Sequence, residues 1–312
     1  MAHGAEYVLG RDISGSIRLD AQHLLWKLHK GYELHPAIPI TKDMKIADLG
    51  TGTAIWILDL ARQVPSSVQL HGFDISGDQF PLKELWPQNV TLGLLNSFSE
   101  PPEAFSGQYD VVHLRMWASN LRESDTSSLV NHVKNLLSMF FSPFFFFFSW
   151  FVWLHYNADN LGNLLTGPGG YLQWEDADLV HQRVQGVTGL AFEQRMNHIF
   201  KRAGIDYSWV SDLPNRLHQD GFTVHDADSC CFEPHLMQLC TNTYLMAIQE
   251  ILHGIKRAYS ESLTLFITEQ ERLLSDMTRQ KAEGIIYNWS PVSVLAQIRP
   301  GHVTVGDTGD GD

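Results

Sequence analysis

The sequence predicts an α/β fold, and three stretches carry that prediction. The first, Lys45 to Ala61, opens as an apolar run to Leu49, turns through Gly50 and Gly52, and resumes with Ile55, Leu58 and Ala61 at helical spacing. It reads as strand, glycine turn, helix. The second, Val68 to Ile75, alternates and then closes on Asp74. The third, Tyr109 to Arg115, is a β-branched run that follows Gly107 and precedes a helical pattern. Strands alternating with helices imply crossover connections and a mostly parallel sheet.

Composition bounds what such a sheet could serve. The 312 residues suffice for a buried core, and the formal net charge of −13 excludes a general nucleic-acid binder, which would need a basic stripe to displace counterions. A small-molecule partner follows. Three cysteines, Cys230, Cys231 and Cys240, make neither a disulfide framework nor a C-x-x-C zinc pair, so no metal is expected. The opening residues show no charged region leading into an apolar one, which with the cysteines predicts a reducing, cytoplasmic setting.

In chain order, Leu19 to Tyr32 patterns as an amphipathic helix, ended by Gly31 and followed by Pro36 and Pro39. At the first glycine turn, backbone N–H groups open a helix, and a nucleotide-like ligand could lie against them where no Cβ intervenes. Asp48 ends the first strand, where a carboxylate repels a pyrophosphate and welcomes an ammonium, so the cofactor should carry positive charge. Asp74 follows the turn by about 20 residues, the separation of a carboxylate that grips ribose hydroxyls. A turn-initiating Asp is the alternative.

The word Asp48-Leu49-Gly50-Thr51-Gly52-Thr53-Ala54 resembles motif I of the class I S-adenosylmethionine-dependent methyltransferases. Tyr7-x-Leu9-x-Arg11, Ser16-x-Arg18-Leu19-x-x-Gln22-His23, Phe80 to Pro87 and Tyr109-Asp110-x-Val112-His113-x-Arg115 are similar to words of a fungal group in that superfamily associated with secondary metabolism, the gliotoxin-type N-methyltransferases. The resemblance implies a doubly wound, seven-stranded sheet with helices on both faces and its last strand antiparallel, an N-terminal helical cap over residues 1–40 and a methyltransferase domain over 41–300. It further implies S-adenosylmethionine as cofactor, with Asp48, Gly50, Thr51 and Gly52 at its methionine end and Asp74 and Ile75 at its ribose. Asn96 and Ser97 fall at the adenine, and Arg18 and His113 are counted around the cofactor. For Arg18 the competing role is helix packing, and for Asn96 a turn cap.

Val90 to Ser97 reads as the third strand and Tyr109 to Arg115 as the fourth. His113 is the candidate general base, since its ordinary pKa lies near neutrality. A histidine fixed beneath the cofactor is the rival role, because a sulfonium already has a good leaving group. Glu175 ends the fifth strand, Tyr171 to Asp176, and could orient an amine or hydroxyl of the acceptor; it could equally favour a helix N-terminus.

Leu136 to Leu154 carries no charge over a bilayer's length. Yet the helix before it and the Gly167-Pro168-Gly169-Gly170 turn after it must pack on one sheet, so a crossing is not expected. Residues 138–162 are read as an insertion, a retained intron in the gene, and membrane association is expected only where that stretch is translated. Helix patterning returns at Phe192 to Phe200, at Leu213 to Leu217 and over 237–284, the last a lid or equally a helix pair that only covers the sheet, before a final strand around Tyr287 to Ala296, with Pro291 placed at an edge or strand start. Residues 301–312 read as a disordered tail. The implied function is methyl transfer to N, O or S of a small metabolite. The alternatives are a regulatory protein of the same fold that binds protein partners, or an inactive product of a mispredicted gene.

Overall fold

The computed structural model of the chain describes residues 9–121, 125–138, 169–258, 261–279 and 284–299, without the side chains of 258, 261–265 and 279. Tyr7, most of the 138–162 stretch, Gly167, Pro168 and the 301–312 tail lie outside the described residues.

Seven strands form one sheet in the order β3-β2-β1-β4-β5-β7-β6. They are β1 (Lys45–Leu49), β2 (Gln69–Asp74), β3 (Val90–Leu94), β4 (Val111–Arg115), β5 (Tyr171–Gln185), β6 (Phe222–Ser229) and β7 (Ile286–Ile298). The first five are parallel, and β7 lies antiparallel between β5 and β6. The expected seven strands and the expected reversed last strand are both present. Seven helices accompany them among the described residues: α1 (Ile13–Lys30), α2 (Ile55–Ala61), α3 (Ser127–Leu136), α4 (Val187–Arg202), α5 (Leu213–Gln219), α6 (Met237–Ala258) and α7 (Glu261–Arg279). None of these helices is long and apolar enough to cross a membrane.

Strand alternation decides what faces what. In β1, Ile46 packs among Trp56, Ile57 and Leu60 of α2, whereas Ala47 and Leu49 join the larger core on the other face. Period two then puts Asp48, His113, Arg115, Gln173 and Glu175 on the α2 face. The register sets them side by side, with Asp48 opposite His113, His113 opposite Gln173 and Arg115 opposite Glu175.

Several boundaries differ from the sequence reading. α1 begins at Ile13, six residues before the expected Leu19, because Asp12 caps it by accepting from the Gly15 N–H at 2.9 Å; exposed Ile13 and Ile17 blur the amphipathic pattern there. β5 runs to Gln185, well past Asp176, because β7 pairs along its whole length with an irregularity between Asp178 and Arg183. Pro291 sits inside β7 and not at its start, but pairing with β6 begins only at Val292, so one flank of the strand is open there.

On the opposite face Asp176 is fully buried and accepts from the N–H groups of Trp117 (2.9 Å) and Ala118 (3.1 Å) and from the Trp174 indole (3.1 Å). Burial pushes its carboxyl up to about 6 against these donors. The described residues beside the Phe-rich stretch also adjoin, since the Gly170 N–H donates to the Ser138 carbonyl at 2.9 Å.

Gly50 holds φ +70°, and a Cβ there would stand 2.9 Å from the Trp117 ring. Gly50→Ala is expected to lower stability by about 1–3 kcal/mol, read as a reduced midpoint in urea unfolding.

Candidate functional site

A cavity of about 910 Å³ opens at the carboxyl ends of the parallel strands, where the strand order reverses between β1 and β4. That is near the upper limit for small-molecule sites, about 300–1,000 Å³, and leaves room for two ligands. One end is lined by Gly50, Gly52, Asp74, Ile75, Asn96 and Ser97. The other is lined by Leu179, Tyr207, Tyr244, Ile248, Ile251 and Trp289. Arg18, Leu19 and Gln22 of α1 form a side wall.

The glycine turn is shaped from within the protein. Gly52 holds φ +53°, and a Cβ there would meet Leu19 of α1 at 2.8 Å. Trp117 packs over Gly50 and fixes its own ring by donating from Nε1 to the Leu49 carbonyl at 3.1 Å. Asp74 accepts from the Gly52 N–H at 3.0 Å and the Ser76 N–H at 3.2 Å. Burial raises its pKa, and the N–H groups of Gly52, Ser76 and Ile75 together with the Arg11 charge oppose the rise. The carboxylate still borders the cavity, where a ligand hydroxyl could share its oxygens. Asn96 lines the cavity while its Oδ1 accepts from the Phe98 N–H at 3.0 Å, so it plays the turn-capping part and retains an amide donor.

Four of the predicted site residues do not line the cavity. Asp48 is 3% exposed, and its oxygens are taken by Thr51 Oγ1 (2.6 Å) and His113 Nδ1 (2.7 Å); Thr51 is buried with it. Asp48 therefore braces the turn from below and does not face a ligand ammonium. His113 is 1% exposed and lies flat on Trp56, ring centroids 3.7 Å apart, with Nε2 3.3 Å from Glu175 Oε2. Burial opposes its charging, but the hydrogen bonds to Asp48 and Glu175 outweigh burial and hold its pKa above the ordinary value. This is a clamped imidazolium, out of reach of an acceptor proton.

Glu175 is fully buried, and both Nε and Nη2 of Arg115 lie 2.6 Å from its Oε2. Burial would raise its pKa, but Arg115 and His113 bring it down to about 2. The acceptor-orienting role read for Glu175 does not fit this placement, because its charge is spent inside the protein. Arg18 does line the cavity, yet its guanidinium is held by Glu250 of α6 (Nε 2.8 Å, Nη2 3.0 Å) and by Gln22 (2.8 Å), so the packing role is the one observed.

The row continues outward. Arg115 Nη1 meets His23 Nδ1 at 3.1 Å, His23 Nε2 meets Asp59 at 3.2 Å, and Lys27 closes on Asp59. His23, Glu33 and Asp59 place ligand-type atoms within 4.8 Å of one another. Arg115 and Lys27 supply the positive charge there, and donation from Arg115 to Nδ1 leaves the Nε2 proton facing Asp59. Burial pushes the Glu33 carboxyl up to about 7, and burial with Arg115 lowers the His23 pKa. Sequence reasoning set Arg115 and Asp176 at the ligand edge of the sheet without giving either a role, and it missed Trp56, Trp117 and Glu250. Nothing local marks Glu250 in a helix 22 residues long.

No protein-family model matches the chain. Over 169 residues it is 31% identical to the methyltransferase grgD of a Penicillium species, covering 52% of this chain and 48% of that one. Over 108 residues it is 43% identical to the N-methyltransferase tcpN of Claviceps purpurea, covering 34% and 38%. A third match, over 74 residues at 31% identity, is to the N-methyltransferase verN of Clonostachys rogersoniana, covering 24% and 26%. The chain's curated homologues are fungal methyltransferases. It spans less than half the length of these relatives. Among solved structures it is similar to the phosphoethanolamine N-methyltransferase 2 of Haemonchus contortus (TM-score 0.45, 14% identity, 90% of this chain and 52% of that one) and to the [4+2]-cyclase SpnF (0.45, 13%, 96% and 88%). The strand order with a reversed seventh strand is that of the Rossmann-like methyltransferase fold.

Glu175→Gln leaves Arg115 and His113 without their shared counter-charge and is expected to lower stability at pH 7 by about 3–5 kcal/mol. Because the folded pKa lies near 2 and below the ordinary value of 4.5, the wild-type advantage is full above pH 4.5 and shrinks as pH falls toward 2. Urea unfolding of both proteins across that window reads the difference.

Proposed function

We propose that the chain is an S-adenosylmethionine-dependent methyltransferase acting on an uncharged small molecule. The observation that carries this reading is Asp74, a carboxylate lining a cavity beside a glycine turn held at positive φ. Asp74 would take the ribose diol, the Gly50 to Gly52 backbone the methionine end, and Asn96 and Ser97 the adenine. The bound cofactor supplies a methyl group on a sulfonium.

The far end points to the acceptor. Its walls are aromatic and aliphatic, and of the guanidinium groups bordering the cavity Arg18 is matched by Glu250 and Arg115 by Glu175, while Arg11 acts on Asp74. A charged acceptor would find these ions occupied, whereas an apolar ring system would find Tyr207, Tyr244 and Trp289. His113 and Glu175 are sealed off, so neither takes a proton from the acceptor; in-line placement and exclusion of water are what the residues provide. The free thiols of Cys230, Cys231 and Cys240 suit a reducing, cytoplasmic setting. One observation favours a second reading, action through a protein partner: Ile13, Ile17, Leu24 and Leu28 form an outward stripe on α1, each at least 46% exposed.

Titration calorimetry with S-adenosylmethionine, on the full chain and on a version lacking residues 139–162, tests the enzyme reading. Binding by either form supports it, and binding only after excision also supports the retained-intron reading. Absence of binding by both rejects it. Asp74→Asn, which keeps the turn's shape but removes the charge, is expected to weaken binding by roughly tenfold, about 1.4 kcal/mol, in the same measurement.

A further inference from the structure

The two walls that close over the glycine turn are not equally fixed. α6, part of the lid expected over 237–284, is built into the core: Cys240, Ile248, Ile251, Leu252 and Ile255 are at most 2% exposed. Thr241 Oγ1 accepts from the Tyr287 N–H at 3.0 Å while donating to the Met237 carbonyl at 2.8 Å, which binds α6 to β7. Tyr244 donates to Glu193 of α4 at 2.6 Å. Such a helix is a wall and not a flap.

Residues 9–22 are different. Leu9, Arg11, Arg18, Leu19 and Gln22 cover the cavity, while Ile13 and Ile17 on the outer side are 80% and 56% exposed. Their attachment to α6 converges on one side chain. Glu250 accepts from Arg18 Nε at 2.8 Å and Nη2 at 3.0 Å, and its Oε2 also accepts from the Gly10 N–H at 3.1 Å. Gly15 lies directly against Gly10, where a Cβ would stand 2.6 Å from the Gly10 carbonyl oxygen, so the leading strap and the first turn of α1 form one body. Nearer solvent, Gln79 donates to Ser16 (3.1 Å) and Thr53 to Asp20 (2.7 Å), and the Arg11 charge acts on Asp74. From His23 onward α1 is pinned, by Trp26 in the core, by Asp59, and by Lys30 on Asp228 at 2.8 Å.

We propose that residues 9–22 are the door of the cavity and that Glu250 is its latch: ligand enters and leaves the glycine-turn end when Arg18 and Gly10 let go of Glu250, while α6 stays in place. The pair suits the task. Closed, it is a buried bidentate ion pair; opened, both charges pass into water together, so neither is stranded in the core. Leu19, seated on Gly52, would leave with the door and uncover the turn. The identity of the ligand rests on the cofactor reading above, but the latch itself does not.

Hydrogen exchange on the full chain tests the door without any ligand. Amides of 10–19 are expected to exchange about tenfold or more faster than those of 241–256 in the wild type, and Glu250→Gln is expected to accelerate 10–19 by about tenfold again with 241–256 unchanged. Exchange of the two segments as one unit, or no acceleration at 10–19, overturns the proposal; should Glu250→Gln not fold, the wild-type comparison decides it alone. Stopped-flow tryptophan fluorescence with S-adenosylhomocysteine adds the kinetic signature: both association and dissociation speed up by about tenfold in Glu250→Gln while affinity stays within about threefold. Weaker affinity at an unchanged association rate overturns it and makes Glu250 a binding residue. If neither protein binds this probe, and neither does when residues 139–162 are removed, the cofactor reading fails while the exchange result still judges the latch.

Discussion

The structure depends on a buried line of alternating charge laid across the carboxyl ends of three neighbouring strands. Asp48, His113, Glu175 and Arg115 meet one after another at hydrogen-bond distance, and each is satisfied only because the next is there. Four ionisable groups in so dry a place would be ruinous singly. Together they neutralise one another and leave the strand ends locked in one register. Thr51 hangs from one end of the line, and through it the glycine turn inherits that rigidity. At the other end Arg115 reaches His23, so the seat of the N-terminal helix is set by the same line.

This arrangement separates two jobs that a sequence cannot tell apart. Asp48 and Asp74 are both acids at the ends of adjacent strands, yet one braces the turn from beneath and the other faces the cavity. Their residue types are identical; the difference lies in which side of the turn each side chain emerges on. The same ambiguity affected His113 and Glu175. Reactive types at the ligand edge of a sheet suggest chemistry, but here their partners hold them in fixed protonation states, one charged by two acids and the other by two cations.

Much of the fold was legible because periodicity is local. The β1 to α2 unit, the acid-ended β2 and the β-branched β4 each announce themselves within a few residues, whereas the seven strands and the reversed last one came from the family resemblance. What was not legible depends on contacts distant in sequence. The extension of β5 to Gln185 is imposed by β7, more than a hundred residues later, and Arg18 is turned from ligand contact to structural tie by Glu250, 232 residues away. Propensity cannot encode such partners, because each residue alone is compatible with several environments.

The contact between Ser138 and Gly170 has an evolutionary consequence. The described residues on either side of this stretch meet at one spot, joined by a peptide hydrogen bond. Lengthening a connection between two points already in contact costs only about 0.6 kcal/mol for each doubling. A splice error or a new exon landing at this junction would thus be nearly invisible to the rest of the molecule, which makes the seam between α3 and β5 a natural port for acquiring or shedding sequence while the sheet stays intact.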